Sequence, residues 1–160
     1  MGLSLTERGM ILRDMRPGQE ATVPALAYLG DSVLEVCVRT YLVAERGLTT
    51  SAHLNREALA FVRATAQSQA MERIEPWLTE EEAAVYRRGR NTGHTQVPRS
   101  ASVAEYRRAT GMEALFGYLS LGGQYDRIQV LFRLGYGLDG GDAPGEVASD
   151  PDRSQKNLEE

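Results

Sequence analysis

The apolar stretch PALAYLGDSVLEVCVRTYL, residues 24–42, constrains the fold of this chain more than any other segment. Pro24 suits the first position of a helix and Gly47 suits a position just beyond its end, so we predict one long helix from about residue 24 to residue 44. Asp31 lies in the middle of this run, where a carboxylate buried without a partner would be costly. Helical spacing predicts that the apolar side of the helix consists of Leu26, Leu29, Val33, Cys37 and Tyr41.

Asp31 has two interpretations at this point. Asp31, Glu35 and Arg39 follow one another at intervals of four residues, which places them on one stripe of a helix. The stripe is either a row of solvent-exposed ion pairs, or its first carboxylate lines a metal site at the edge of the core. Spacing alone leaves both interpretations open.

The rest of the chain also shows helical patterns, and no alternating pattern indicates a strand. We predict an all-α fold of about six helices. A single long helix is expected over residues 49–76, and two others begin at capping residues, Thr79 with Glu82 as a capping box and Ser102. The domain organisation is predicted to be an N-terminal helix and loop over residues 1–19, a helical domain over 20–138, and a disordered acidic tail over 139–160.

Composition excludes several classes of protein. The single cysteine, Cys37, cannot form a disulfide framework or a thiolate metal site within one chain, and its apolar surroundings favour a buried structural thiol. Charges interrupt the N-terminal segment, and no apolar stretch is long enough to span a membrane, so a cytoplasmic protein is expected. The net charge of −4 conceals an asymmetry, because the tail carries −5 and the remaining 138 residues carry +1.

Basic residues are concentrated between residues 83 and 110. This segment has six arginines and one acid, Glu105, and it includes the hydrogen-bonding side chains of Asn91 and His94. Such a segment is either a footprint for a phosphate backbone or a solvated loop rich in arginine. The arginines are Arg87, Arg88, Arg90, Arg99, Arg107 and Arg108.

A second carboxylate occurs in the helical stretch TGMEALFGYLSLGG. Glu113 is flanked by apolar residues, and Thr110, three residues earlier, shares its face of the helix. The pattern fits a solvated edge position or a metal ligand. Gly111 and Gly117 disfavour a helix by roughly 1 kcal/mol each relative to alanine, so they indicate close backbone packing or space for a ligand.

Two motifs together resemble the ribonuclease III family. ALAYLGDSVLE resembles the signature helix of that family, and TGMEALFGYLSLGG resembles its second catalytic helix. The intervening RRGRNTGHT is similar to the arginine-asparagine loop of the small bacterial branch, Mini-ribonuclease III, which consists of the catalytic domain alone. The resemblance covers roughly residues 20–136.

The resemblance implies a homodimeric endoribonuclease that uses Mg²⁺ to hydrolyse double-stranded RNA to 5′-phosphate and 3′-hydroxyl ends. For the small branch it implies maturation of the large-subunit ribosomal RNA precursor, and assistance by a large-subunit ribosomal protein is left open. Asp31 and Glu113 match the catalytic and metal-binding carboxylates of the family. Two further acids of the longer relatives are replaced here, by Ala27 and Thr110.

The remaining expected roles concern RNA and the surroundings of the carboxylates. Glu35 and Thr110 are expected to support the site without direct metal contact. RNA binding is assigned to Arg87, Arg88, Arg90, Asn91, His94 and Arg99. Two rival hypotheses remain, a catalytically silent domain of this family that binds RNA or the ribosome and, from another class, a helical module whose arginines bind acidic proteins.

Overall fold

The computed structural model describes residues 21–92, 99 and 101–140. These ranges contain helices and no β-strand, so the predicted all-α fold class is confirmed. A π-helical turn, Tyr41–Glu45, continues the first helix, and a 3-10 turn, Glu75–Trp77, joins the third helix to the fourth. The helices are α1 (Val23–Thr40), α2 (Ser51–Val62), α3 (Ala64–Ile74), α4 (Glu80–Asn91), α5 (Val103–Leu121) and α6 (Tyr125–Gly135).

Several predictions lie outside the described residues. These are the N-terminal helix and loop over residues 1–19, His94 with most of the loop after Asn91, and the tail beyond residue 140. The domain boundaries at residues 19 and 138 stay predictions. None of the helices in the described ranges is long and apolar enough to cross a membrane.

Side-chain caps determine where the helices begin. The Thr79 hydroxyl accepts a hydrogen bond from the Glu82 N–H, and the Glu82 carboxylate accepts one from the Thr79 N–H. Ser102 and Glu105 form the same reciprocal capping box at the start of α5. Both caps satisfy N–H groups that have no partner inside the helix, and both confirm the sequence prediction.

The predicted single helix over residues 49–76 is wrong. Arg63 has φ −64° and ψ 145°, an extended conformation that separates α2 from α3. In an unbroken helix Phe61 would point away from the side that carries Ala70, Met71 and Ile74. The break reorients α3 so that all four of these side chains are buried. The segment has neither glycine nor proline at this point, so the sequence offered no local signal for the break.

Helix α5 is the centre of the domain and packs against α1, α3, α4 and α6. Its apolar residues occupy all sides of the helix, as expected for a helix with neighbours all round. The fully buried side chains of α5 are Met112, Ala114, Leu115, Phe116 and Leu119.

The buried side of α1 runs through Leu26, Leu34, Cys37 and Val38, whereas Leu29, Val33 and Tyr41 are only half-buried. The observed apolar face is therefore displaced slightly around the helix axis from the predicted one. Burial raises the pKa of the Cys37 thiol to about 11, which confirms an unreactive structural cysteine.

Glycines allow α1 and α5 to cross with their backbones in contact. A Cβ atom on Gly30 would lie 1.6 Å from the carbonyl oxygen of Glu113, and one on Gly117 would lie 2.0 Å from that of Leu26. Gly111 packs in the same way under the Tyr86 ring of α4, where a Cβ atom would lie 2.6 Å from ring carbons. Close backbone packing is thus the role of both α5 glycines that the sequence singled out. Because Asp31 follows Gly30, the same crossing brings Asp31 to Glu113.

Candidate active site

Asp31 and Glu113 face each other across a cleft of about 290 Å³ between α1 and α5. They lie 82 positions apart in the sequence, and the crossing at Gly30 places them in one site. Asp31 is exposed to solvent, whereas Glu113 is half-buried. The described residues that line the cleft are Val23, Pro24, Ala27, Tyr28, Asp31, Thr92, Tyr106, Thr110 and Glu113.

The two carboxylates are close enough to influence each other's ionisation. Burial, and secondly the negative charge of Asp31, raise the pKa of Glu113 to about 7. Both effects oppose ionisation of Glu113 when no cation is nearby. A cation between the two groups would reverse this preference, because it would stabilise both charges at once.

The donor chemistry of the cleft fits a magnesium ion. Mg²⁺ prefers oxygen ligands and is commonly held by one or two carboxylates together with substrate phosphates. Asp31 and Glu113 supply such a pair at an opening accessible to a phosphate. Among the described residues no cluster of three or more acidic, histidine or cysteine side chains could hold a metal, so further ligands would come from water and substrate.

The resemblance implies acids in longer family members at two positions, which Thr110 and Ala27 occupy here. Both line the cleft and both are buried. The Thr110 hydroxyl donates a hydrogen bond of 3.1 Å to the backbone carbonyl of Tyr106 within the same helix. Thr110 is therefore placed beside Glu113 as expected, and its supporting role remains a prediction.

Glu35 pairs with Arg39 and lies outside the cleft. The Arg39 guanidinium is 3.1 Å from a carboxylate oxygen of Glu35, and both side chains are largely exposed. Asp31 has no ion pair with any residue that the structure describes, so the predicted stripe of ion pairs is limited to Glu35 and Arg39. Glu35 is not among the described residues that line the cleft, and a supporting role for it stays a prediction.

The arginines of α4 fall into two groups. Arg87 and Arg88 are exposed near the end of the helix, and Asn91 is exposed beside them. Arg90 is half-buried, since its guanidinium lies over the Tyr86 ring, 5.5 Å from the centroid, and its Nε donates to the Asn91 Oδ1. Arg90 is thus held against the protein, while Arg87 and Arg88 extend into solvent. Arg99 is exposed.

Known proteins similar to this chain identify its family. A sequence profile of the Ribonuclease III domain matches residues 24–124. A Mini-ribonuclease 3 of Symbiobacterium thermophilum is 47% identical over 116 residues, which cover 71% of this chain and 88% of that protein. Another from Clostridium tetani is 39% identical over 109 residues, covering 68% and 72% of the two chains. The chain belongs to the ribonuclease III family.

A solved structure agrees with this assignment. An X-ray crystal structure of a Fusobacterium nucleatum protein superposes with a TM-score of 0.66 at 28% identity, covering 74% of this chain and 94% of that one. The relatives of similar length place the chain in the Mini-ribonuclease III branch, so the resemblance found in the sequence is confirmed. Ribonuclease III enzymes cleave double-stranded RNA, and the prediction of a double-strand-specific endoribonuclease is confirmed at that level.

Five cleft residues were not assigned to the site from the sequence, and three of them, Tyr28, Thr92 and Tyr106, carry polar groups. Tyr106 precedes Thr110 by four residues and Glu113 by seven, so helical spacing could have placed it on the same face. Tyr28 precedes Asp31 by three residues and could have been found in the same way. Thr92 carried no such signal, because it lies just after α4 and only the tertiary packing brings it to the cleft.

Proposed function

We propose that this chain is a Mg²⁺-dependent endoribonuclease that leaves 5′-phosphate and 3′-hydroxyl ends and matures the large-subunit ribosomal RNA precursor in the cytoplasm. The observation that carries the proposal is the meeting of Asp31 and Glu113 in one open cleft, next to a helix end with exposed arginines. Membership of the family indicates double-stranded RNA as the substrate, and the two carboxylates indicate hydrolysis assisted by a metal ion.

Asp31 and Glu113 would hold the magnesium ion. When bound, Mg²⁺ supplies a water of lowered pKa and offsets the negative charge that develops on the phosphate. Asp31, at the exposed side of the cleft, would meet the substrate phosphate first. Glu113 must lose its proton to act as a ligand. Because the pKa of Glu113 is about 7, the fraction that is ionised near neutral pH depends on the neighbouring charge of Asp31.

Exposed arginines at the end of α4 would bind the RNA backbone. A-form RNA presents phosphates and 2′-hydroxyls across a shallow minor groove, so recognition by this surface would depend mainly on shape. Arg87 and Arg88 are free to reach phosphates, whereas Arg90 would act chiefly by holding Asn91 and the helix end in place. Thr92 connects this surface to the cleft, because its hydroxyl donates a 2.8 Å hydrogen bond to the Arg88 carbonyl.

The proposed active form is a homodimer that associates through α1. Val36 is 63% exposed on the outer side of this helix, and Val43, in the π-helical turn that continues it, is 56% exposed. Large apolar side chains left in water on one helix are typical of an interface. A second copy on this face would satisfy them, and twofold symmetry would present two equivalent clefts to the two antiparallel strands of RNA.

A cleavage assay with the purified protein tests the proposal. Double-stranded RNA and ribosomal RNA precursor are incubated with Mg²⁺ or with a chelator, beside the variant Glu113→Gln, and the product ends are identified. We expect Mg²⁺-dependent cleavage of both substrates by the wild type, and RNA binding without cleavage by the variant. Wild-type binding without cleavage would support the rival hypothesis of a catalytically silent domain. Adding large-subunit ribosomal proteins tests whether one of them assists.

A further inference from the structure

The described lining of the cleft contains no positive side chain to balance its two carboxylates. Apart from Asp31 and Glu113, its described lining residues are apolar or neutral. An approaching phosphodiester adds a third negative charge. A magnesium ion held by the two carboxylates would offset the charge of the phosphate that enters the cleft, so attraction of the neighbouring phosphates is left to cationic side chains at the edge of the cleft.

Arg107 is positioned to be such a cation. It follows the cleft residue Tyr106 directly and precedes Thr110 by three residues, so it lies on the turn of α5 that borders the cleft. Its side chain is exposed and has no hydrogen bond or ion pair within the part of the chain that the structure describes. A planar guanidinium in this setting can bind two phosphate oxygens at once.

The neighbouring arginine shows the contrast. Arg108 points away from the cleft. Its guanidinium lies 2.9 Å from Glu72 and 3.1 Å from the Ser68 hydroxyl, both on α3. Arg108 therefore joins two helices of the fold. Arg107, one residue earlier, has no such structural partner.

We propose that Arg107 is a further RNA-binding residue, which contacts a backbone phosphate next to the one that enters the cleft. The inference rests on the proposed function, since it assumes that RNA occupies the cleft. It extends the RNA-binding surface from the end of α4 to the α5 wall of the active site, so that arginines flank the carboxylates on two helices.

The test compares Arg107→Ala, Arg107→Lys and the matched control Arg56→Ala. Arg56 is also an exposed arginine without a partner among the described residues, but it lies on α2, which contributes nothing to the cleft. Binding of a short double-stranded RNA is measured by fluorescence anisotropy in a chelator at several salt concentrations, and kcat and KM are measured in Mg²⁺. Thermal melting of each variant is recorded.

For Arg107→Ala we expect roughly tenfold weaker binding. The slope of log binding constant against log salt concentration should become less steep by about one for each Arg107 that contacts the RNA. KM should rise by a similar factor, kcat should stay within about twofold, and lysine should restore part of the affinity, because it keeps the charge but loses the planar fork. Arg56→Ala should match the wild type. Melting temperatures should not change.

An Arg107→Ala protein that binds and cleaves like Arg56→Ala would overturn the inference and leave the proposed function intact. A drop in melting temperature together with no rescue by lysine would also overturn it, by showing a structural role. A wild type that binds double-stranded RNA but does not cleave it would refute the proposed catalysis, while the binding data would still decide the role of Arg107. A wild type that does not bind would overturn both.

Discussion

Replacing Gly30 by alanine should damage both the fold and the active site. The new Cβ atom would lie 1.6 Å from the Glu113 carbonyl oxygen, whereas ordinary contacts start near 3.4 Å. The obstacle is backbone, which cannot move aside as a flexible side chain can. Helices α1 and α5 would therefore have to separate by more than an ångström.

The magnitude follows from two opposing effects. Alanine is favoured over glycine inside a helix by roughly 1 kcal/mol. Overpacking a close contact typically costs about 1–3 kcal/mol and occasionally more, and a backbone obstacle belongs at the upper end of that range. We expect a net loss of about 2 kcal/mol, or roughly 5–10 °C in melting temperature for a domain of this size.

The loss of activity should exceed the loss of stability. Separation of the helices moves Asp31 away from Glu113, and a misplacement of about 1 Å can reduce the rate roughly 100-fold. Thermal melting followed by circular dichroism and kcat/KM on double-stranded RNA, measured well below the melting temperature, give the two quantities. Gly122→Ala is the matched control, because the nearest atom to its added Cβ atom is the end of the flexible Gln124 side chain at 3.2 Å, and the nearest backbone oxygens lie at ordinary contact distances of 3.6 and 3.7 Å. A Gly30→Ala protein that melts and cleaves like Gly122→Ala would refute the role assigned to the helix crossing.

Three other perturbations test separate parts of the structure. Arg88→Ala should make the slope of log RNA-binding constant against log salt concentration less steep by about one for each arginine lost from the interface. Arg90→Ala should lower the melting temperature and change this slope less. Equal slopes for the two variants would contradict the assignment of Arg88 to RNA and of Arg90 to the protein surface. Glu82→Gln should cost about 1.5–3 kcal/mol near neutral pH, because the Glu82 carboxylate accepts two hydrogen bonds from Arg127 at 2.9 and 3.0 Å. Burial opposes ionisation of Glu82, but the Arg127 and Thr79 hydrogen bonds outweigh it and lower the pKa. The stabilisation by the Glu82 carboxylate is therefore present above its unfolded-state pKa of about 4.5 and is lost as pH falls through the lower folded-state pKa. The free energies of unfolding of wild type and variant, measured in urea, should become equal in acid. Val36→Glu should convert the proposed dimer to a monomer in analytical ultracentrifugation, and a variant that stays dimeric would exclude the outer side of α1 as the interface.

Local signals made most helix boundaries predictable. Short-range signals for these boundaries can be identified in the sequence itself, and they include the capping residues Thr79 and Ser102 and the glycines after α5. The break at Arg63 could not be predicted, because it follows from the different directions in which Phe61 and Met71 must point to reach one core. Such a requirement is tertiary and leaves no mark on the local pattern.

The candidate site was predictable only in part. Spacing left Asp31 as either an ion-pair residue or a ligand, and only the resemblance joined it to Glu113, 82 positions later. The structure supplies the physical reason for that pairing, the contact of α1 with α5 at Gly30 and Gly117. It also shows that the ion pair belongs to Glu35 and Arg39, one turn away.

The most direct test of the active-site assignment compares two carboxylates of the same helix. Asp31→Asn and Glu35→Gln each remove one negative charge from α1, four residues apart, and both changes preserve side-chain size. Single-turnover cleavage of double-stranded RNA in Mg²⁺ is measured for both, with RNA binding as the check on folding. We predict that Asp31→Asn binds RNA but loses at least about 100-fold in rate, while Glu35→Gln, whose side chain pairs with Arg39 outside the cleft, loses far less. Near-normal cleavage by Asp31→Asn, or equal losses in both variants, would contradict the assignment of Asp31 to the active site.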